Sequence, residues 1–150
     1  MFYLIFECVL PGYAELATFG DRQFYDDWWN STDLEEFNRR WNKVVHLFLY
    51  RHVYLECYVR HKLSKNTSKI MTFVVSAILH EFCLCTLIKL FRPYMTLLMM
   101  MQIPLMAIGK KFLKKTTGGN YFFWFSVLVG NALIFILYNR AYLIEYGHSY

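Results

Sequence analysis

The sequence shows no arrangement of cysteines typical of disulfide bonds or of a redox centre. Its four cysteines, Cys8, Cys57, Cys83 and Cys85, form no CxxC pair. Because the last two lie inside an apolar run, we expect free, buried thiols. No metal site is predicted, since the stretch HEFCLC (80–85) has no second histidine of a HExxH pattern and no other ligand cluster is in register with it.

Other absences narrow the class of protein. The N-terminus has no basic start, Glu7 interrupts its apolar part and no small-residue cleavage site follows, so no signal peptide is predicted. There is no internal repeat and no motif of a nucleic-acid reader. The net charge is +5, but the basic residues cluster between apolar runs, which suits anionic lipid headgroups and cytosolic loops rather than nucleic acid.

Apolar and aromatic side chains are abundant. Hydrophobic residues make up 57% of the 150 residues and aromatic residues 20%, with a mean hydropathy of +0.25. Soluble domains are usually about 45–50% apolar, so this composition indicates a membrane protein. The length suits one ordinary domain, although it is short for a multi-span enzyme that has to enclose two substrates.

Three segments are candidate membrane spans, at 70–88, 90–109 and 121–138. A straight span needs about 20 residues, so the first and the third qualify by themselves. The second contains Pro104 and requires burial among neighbouring helices. Residues 1–12 are interpreted as the end of a transmembrane helix whose beginning is absent, closed or kinked by its proline–glycine pair.

The basic residues predict how these spans are arranged. One cluster lies within 39–69 and another at 110–115, and two candidate spans separate them, so both clusters can face the cytosol at once. The turn that contains Lys89 and Arg92 then lies on the opposite side. The positive-inside rule therefore predicts a hairpin, followed by a last span to a lumenal tail.

Residues 33–62 are expected to form one continuous, basic, amphipathic helix at the membrane interface. Capping-box spacing occurs twice at its start, in Thr32/Glu35 and in Asp33/Glu36. The apolar face recurs at helical intervals: Phe37, Trp41, Val44 and Phe48. A polar stripe on another face consists of Arg39, Asn42 and His46. Together these features predict an all-α, polytopic helical membrane protein with about three transmembrane helices, a partial N-terminal one and an amphipathic interfacial helix.

His80 and Glu81 lie near the middle of an otherwise apolar run. A charge at that depth costs about 2.5–3.5 kcal/mol on insertion scales, so such groups usually face a cavity or a partner. Desolvation favours the neutral imidazole, which is the form that a general base requires. Two interpretations of His80 stay open, a general base and a helix-packing histidine. Glu81 either holds the tautomer of the histidine or bonds to another helix.

Residues 24–30 read FYDDWWN, an unusual mixture of bulky rings and paired carboxylates. Within 19–31, this run resembles the signature of the sterol and diacylglycerol O-acyltransferase branch of the membrane-bound O-acyltransferases. RRWNKVVHLF (39–48) resembles the second motif of that family, and VVSAILHE (74–81) resembles its histidine-bearing helix. The similarity runs over about 14–142 and corresponds to the C-terminal part of the family's usual chain.

The resemblance implies direct acyl transfer from acyl-CoA to a lipid hydroxyl. His80 then takes the catalytic position and removes the proton from the hydroxyl as the oxygen attacks the thioester. Asn42, also assigned to catalysis, donates a hydrogen bond to the thioester carbonyl or orients the CoA. No cofactor is expected beyond acyl-CoA as co-substrate. The residues matched to acyl-CoA-binding positions are Arg39, Asn42, His46, Tyr54, Lys65 and Ser76. The signature motif comprises Phe24, Tyr25, Asp27, Trp28, Trp29 and Asn30.

The signature and the amphipathic helix share a segment, 19–69, that is expected to be cytosolic. Its aromatic rings are expected to anchor it at the interface. Asp26 and Asp27 are expected to cap or to form salt bridges rather than to catalyse. The polar stripe of the amphipathic helix then lines the entrance for acyl-CoA.

The whole chain, 1–150, is interpreted as the C-terminal part of a membrane-bound O-acyltransferase domain. RHVY (51–54), MTF (71–73) and MMQIPLMAI (100–108) look most like fungal sterol O-acyltransferases, which implies steryl ester synthesis, with diacylglycerol acylation to triacylglycerol as the alternative. Expected partners are acyl-CoA, a sterol or diacylglycerol, membrane lipids and further copies of the chain, in the endoplasmic reticulum membrane, with no nucleic acid. Two hypotheses from other classes are a non-catalytic truncated membrane remnant and a proton- or ion-handling channel subunit.

Overall fold

The computed structural model describes residues 3–113 and 116–147, without the side chain of Phe112. Every regular element in this part of the chain is helical, which confirms the predicted all-α class. The α-helices are α1 (Leu10–Leu16), α2 (Leu34–Arg40), α3 (Lys43–Leu49), α4 (Lys65–Ile88), α5 (Tyr94–Phe112) and α6 (Thr117–Tyr146). Shorter elements are the π-helical segments Leu4–Val9, Tyr50–Tyr54 and Glu56–Arg60 and the 3-10 turn Trp28–Asn30.

Helices α4 and α6 are long and apolar enough to cross a membrane. Their 24 and 30 residues correspond to roughly 36 and 45 Å at 1.5 Å per residue. Both begin before the predicted apolar runs, because a hydroxyl caps each of them. Ser64 Oγ accepts the N–H of Thr67 at 3.1 Å, and Thr116 Oγ1 accepts the N–H of Gly119 at 3.1 Å. The two helices fit the predicted helical membrane protein.

The expected span at 90–109 forms α5. Pro104 lies inside this helix, and Lys110 and Lys111 occupy its last turn. Among the described residues, α5 does not join α4 and α6 as a helix that can cross a membrane by length and composition alone. Its role as a third span therefore stays a prediction.

The three long helices form a layer in which α4 packs against α5 and α5 against α6. At one end, Glu35 of α2 forms ion pairs with Lys69 at the start of α4, at 3.2 Å, and with Lys110 at the end of α5. At the other end, Arg92 and Glu145 are 3.6 Å apart. Lys69 of one basic cluster and Lys110 of the other thus lie at the same end of the layer, as the charge pattern predicts. Which side of the membrane this end faces stays a prediction.

The prediction of a continuous helix over 33–62 is wrong at Asn42. Helix α2 ends at Arg40, and Asn42 is extended, with φ −147° and ψ 93°, before α3 begins. Asn42 Oδ1 accepts the N–H of Val45 at 3.1 Å. Such a side chain-to-backbone bond offers the chain an alternative to helix continuation. The segment 33–62 is therefore divided at this asparagine, with α2 before it and α3 and the two π-helical segments after it.

Of the two predicted capping boxes, the pair Asp33 and Glu36 caps α2, with the return bond of Glu36 going to Thr32 and not to the cap residue itself. Asp33 Oδ1 accepts the N–H of Glu36 at 2.7 Å, and the Glu36 carboxylate reaches back to the N–H of Thr32 at 2.9 Å. These bonds satisfy N–H groups that a helix start otherwise leaves unpaired. Glu35 is left to pair with the lysines of α4 and α5.

Two expectations about the N-terminal part and the cysteines need correction. Helix α1 continues to Leu16, so of the two expected effects of Pro11 and Gly12 the closing of the helix is wrong. Proline is tolerated there because it lies in the first turn of the helix. The four cysteines are free, as predicted, but of the two in the apolar run Cys83 is exposed and Cys85 is half-buried, so neither is buried as expected.

Candidate active site

His80 lies on the outward face of α4, and its side chain is exposed. The ring atom Nδ1 is 2.7 Å from the backbone carbonyl oxygen of Ser76, one turn earlier. A carbonyl oxygen only accepts hydrogen bonds, so Nδ1 carries a proton, and in the neutral ring the lone pair is then on Nε2. The backbone of α4 itself thus selects the tautomer in which Nε2 can accept a proton.

Glu81 faces away from its neighbour in sequence, because consecutive helical residues are about 100° apart. It is buried, with 5% of its surface exposed. One carboxylate oxygen accepts the Tyr138 hydroxyl of α6, and the other accepts the N–H of Thr96 of α5 at 2.9 Å. Of the two roles considered for Glu81, these contacts match the bridge to other helices and not the holding of the histidine tautomer.

The Tyr138 hydroxyl is the centre of a polar cluster where α4, α5 and α6 meet. Besides Glu81, it contacts the N–H of Met95 at 3.3 Å and the carbonyl oxygen of Arg92 at 2.8 Å. The Thr96 hydroxyl adds a bond to the carbonyl oxygen of Ala77 at 3.4 Å. Since these bonds fix the rotation of α4 about its axis, they also fix the direction in which His80 points. Tyr138 was not predicted, although a buried tyrosine hydroxyl normally requires a partner.

Asn42 occupies the break between α2 and α3 and is half-buried. Its Oδ1 is engaged by Val45, and its backbone carbonyl accepts the N–H of His46 at 3.0 Å. Within the described part of the chain, its Nδ2 group has no hydrogen-bond acceptor. The amide is therefore held at one end and presents a donor at the other.

His46 begins a stack of rings that follows one face of α3 and the π-helical segment behind it. The ring centroids of His46 and Tyr50 are 6.5 Å apart, those of Tyr50 and Tyr54 are 5.3 Å apart, and those of Tyr54 and Tyr58 are 5.9 Å apart. Burial, and then the nearby charge of Arg39, lower the pKa of His46 from its usual 6.5. The imidazole is therefore neutral near pH 7.

The other residues matched to acyl-CoA-binding positions lie on α2, on α4 and on the segment Tyr50–Tyr54 between them. Arg39 is exposed in the last turn of α2, and Lys65 is the first residue of α4. The segment Tyr50–Tyr54 packs against α4, which also carries Ser76 one turn before the histidine. Among the described residues, no hydrogen bond or ring contact joins the predicted pair Asn42 and His80 directly.

The FYDDWWN segment packs between α2 and the start of α6. The ring centroids of Trp28 and Trp41 are 5.0 Å apart, and those of Trp28 and Trp124 are 5.8 Å apart. Asn120 Nδ2 and Trp124 Nε1 both donate to the carbonyl oxygen of Trp29, at 3.0 and 3.2 Å. Neither Asn120 nor Trp124 was predicted to bind this motif, because they lie more than 90 residues further along the chain.

The remaining motif residues have separate contacts. Phe24 is buried in a small cluster with Phe6 of the N-terminal part. The Tyr25 hydroxyl donates to Glu7, and this hydrogen bond raises the pKa of the phenol. Asp26 forms a salt bridge with Lys43, as expected. Asp27 was also expected to cap or to form a salt bridge, but its side chain makes no cap bond and its backbone carbonyl accepts from Arg40 instead. Asn30 is exposed at the end of the 3-10 turn.

The chain matches the model of the membrane-bound O-acyltransferase family over residues 1–139. It is similar to Probable sterol O-acyltransferase 1 of Schizosaccharomyces pombe, with 43% identity over 92% of this chain and 26% of that protein. It is also similar to sterol O-acyltransferase 2 of Saccharomyces cerevisiae (41% identity, 91% of this chain, 22% of that protein). Diacylglycerol O-acyltransferase 1 of Arabidopsis thaliana is 39% identical over 92% of this chain and 27% of its own length. The chain therefore spans about a quarter of the length of these relatives.

Proposed function

Since the chain belongs to the membrane-bound O-acyltransferase family, we propose that it takes part in the transfer of a fatty acyl group from acyl-CoA to the hydroxyl of a neutral lipid, a sterol in the first place. The observation that supports this best is the state of His80. Its Nδ1 is hydrogen-bonded to the Ser76 carbonyl, which leaves Nε2 available. His80 is exposed on one face of α4, a helix long enough to cross a membrane. A lipid hydroxyl in the bilayer has access to that face.

In the proposed reaction, His80 Nε2 accepts the proton of the lipid hydroxyl while the hydroxyl oxygen attacks the thioester carbon. The carbon–oxygen bond forms, the carbon–sulfur bond breaks, and the thiolate of CoA leaves with the proton returned by the histidine. General-base help of this kind is typically worth about 10²–10⁴-fold. No acyl-enzyme is needed in this scheme.

Asn42 is proposed to stabilise the negative charge that develops on the thioester oxygen. Its Oδ1 is held by Val45, so its Nδ2 is oriented before substrate arrives, and such preorganised donors lose little on reaction. Arg39 and Lys65 are proposed to bind the CoA phosphates, and the rings of His46 and Tyr54 and the Ser76 hydroxyl to line the path of the thioester.

A sterol is proposed as the acceptor because sterol O-acyltransferases stand above the diacylglycerol enzymes among the relatives, at 43% and 41% against 39% identity. The margin is small, and diacylglycerol is the second candidate. Membrane location follows from the family and from α4 and α6. We further propose that the chain lies in the endoplasmic reticulum membrane, where it would meet lipid substrates of this kind.

The test is an acyl-transfer assay on membranes that contain the chain, supplied with labelled acyl-CoA and with either a sterol or a diacylglycerol. We expect ester formation with the sterol and a loss of about 10²–10⁴-fold in His80→Ala. The matched control is His61→Ala, because His61 is an exposed histidine of the same chain outside the proposed site.

Ester formation that persists unchanged in His80→Ala would refute the assignment of the base. If ester formed only with the diacylglycerol, the sterol would be refuted as the acceptor and the diacylglycerol would take its place. A chain that is inserted in membranes and forms no ester with either lipid would support the hypothesis of a non-catalytic remnant.

A further inference from the structure

The break at Asn42 runs against the local sequence, whose apolar and polar residues keep helical spacing through 33–62. A continuous helix would pair the Arg40 carbonyl with the N–H of residue 44 and the N–H of Lys43 with the carbonyl of residue 39. Instead the chain is extended at Asn42. Contacts from another part of the chain have to compensate for the helical bonds that are given up here.

Backbone atoms of the FYDDWWN segment supply that compensation. The N–H of Asp26 donates to the carbonyl oxygen of Arg40 at 3.0 Å, and the N–H of Lys43 donates to the carbonyl oxygen of Phe24 at 2.8 Å. These two bonds engage the last residue of α2 and the first residue of α3. Residues 24–26 thus pair with both sides of Asn42.

Side chains reinforce the same contact. Lys43 Nζ lies 3.3 Å from Asp26 Oδ1 and 3.4 Å from Gln23 Oε1, and Arg40 Nη1 donates to the carbonyl oxygen of Asp27 at 3.2 Å. The segment itself is anchored, because Phe24 is 8% exposed within its apolar cluster. The residues that bond to both sides of the break at Asn42 are therefore themselves held in place.

We propose that residues 24–27 form a template that holds α2 and α3 apart and so orients the Asn42 amide, with Asp26 as a positioning residue. This inference rests on the role proposed above for Asn42. It gives the FYDDWWN motif a task that requires no contact with substrate. If α2 and α3 were to merge into one helix, the amide would turn with the helix surface and its donor would leave the site.

The first test is the charge reversal Asp26→Lys, which places two cations together at the break. We expect kcat to fall by roughly three- to fivefold, the scale of one exposed ion pair, with the KM for acyl-CoA unchanged. The double variant Asp26→Lys/Lys43→Asp restores the pair and should restore kcat. Arg60→Glu reverses a comparable exposed pair with Glu56, at 2.7 Å, and should leave kcat unaltered.

A double-mutant cycle separates positioning from general damage. In an Asn42→Ala background, Asp26→Lys should have no further effect on the residual rate, because there is no amide left to orient. An equal loss in both backgrounds would overturn the proposal, and so would a failure of the double charge swap to restore kcat.

Amide hydrogen exchange supplies a measurement that does not depend on activity. We expect the N–H of Lys43 to be protected in the unaltered chain and to exchange faster in Asp26→Lys, while the N–H of Ser68 in α4, which donates to Ser64 at 2.9 Å, stays unchanged. Unchanged protection at Lys43 overturns the template, whatever the assay shows. Lost protection in a chain without any acyl transfer would uphold the template and refute the proposed function.

Discussion

Two glutamates join the helices of this protein at opposite ends of the layer, and their partners differ in kind. Glu81 is buried between α4, α5 and α6 and accepts hydrogen bonds from a tyrosine hydroxyl and a backbone N–H. Glu35 is half-buried and faces the ammonium groups of Lys69 and Lys110. The same side chain thus connects three elements in both places.

The difference between the partners follows from how far each carboxylate is buried. An ammonium group within an apolar layer loses its hydration at a cost of several kcal/mol, so the cluster at Glu81 uses neutral donors that are already part of the fold. Near the layer's charged end, lysines keep most of their hydration and a salt bridge is cheap to form, although it is worth little, about 0–1 kcal/mol. The burial of the carboxylate, more than the residue type, selects the partner.

The largest effect is expected where the neutral cluster is removed. Glu81→Leu leaves the Thr96 N–H without an acceptor and takes one acceptor from Tyr138, and unpaired buried groups cost about 1–3 kcal/mol each. We expect the free energy of unfolding in detergent micelles to fall by roughly 2–4 kcal/mol. Glu145→Leu, which removes an exposed partner of Arg92 at the same end, should cost under about 1 kcal/mol. Similar losses of stability in both variants would contradict the claim that burial decides how much each glutamate contributes.

An intermediate effect is expected at Gly119, where α6 begins beside the polar end of the layer. A Cβ at this position would lie 2.6 Å from the carbonyl oxygen of Thr32 and would also collide with the backbone of Leu113. Gly119→Ala should therefore destabilise the protein by about 1–3 kcal/mol, the usual range for overpacking. Such a loss would show that close packing, as well as the ion pairs of Glu35, stabilises this end of the layer.

Gly118→Ala is the matched control for that variant. A Cβ at Gly118 would be 3.5 Å from the nearest atom, the Cδ2 of Leu113, which is an ordinary contact. Alanine is the better helix former by up to about 1 kcal/mol, so the unfolding temperature should stay constant or rise. Equal destabilisation by the two substitutions would rule out the steric explanation at Gly119.

The smallest effect is expected for Glu35→Gln. Burial alone would raise the pKa of Glu35, but the ammonium groups of Lys110 and Lys69 outweigh it and lower the pKa below the usual 4.5. Because the carboxyl has a lower pKa in the folded state, its stabilisation is present above the unfolded pKa and is lost as the pH falls through the folded pKa. At pH 7 we expect Glu35→Gln to cost about 0.2–1 kcal/mol.

Unfolding curves at several pH values and salt concentrations test this difference. The gap between Glu35→Gln and the unaltered chain should close on acidification below pH 4.5 and in about 1 M salt, where the screening length is about 3 Å. The deficit of Glu81→Leu should persist in the same salt, since its partners are uncharged. If the loss of stability in Glu81→Leu also became smaller in salt, the two glutamates would not differ in the way described.

The helical class, the positions of α4 and α6 and the common end of Lys69 and Lys110 were predictable, because hydropathy and charge are local properties of the chain. The break at Asn42 was not, since it depends on backbone bonds to Phe24 and Asp26 that no helical period encodes. The partner of Glu81 escaped prediction for the same reason, as 57 residues separate it from Tyr138. Local patterns predict elements, whereas contacts distant in sequence decide where an element stops and which side chains meet.

Helix α5 begins without a cap of its own, since Pro93 offers no side-chain acceptor. The N–H groups of Met95 and Thr96 are paired by Tyr138 of α6 and Glu81 of α4 instead. During synthesis α6 leaves the ribosome after α4 and α5, so the bond from the Met95 N–H stays unmade until α6 has docked. The start of the middle helix is thus completed by side chains of the helices on both of its sides.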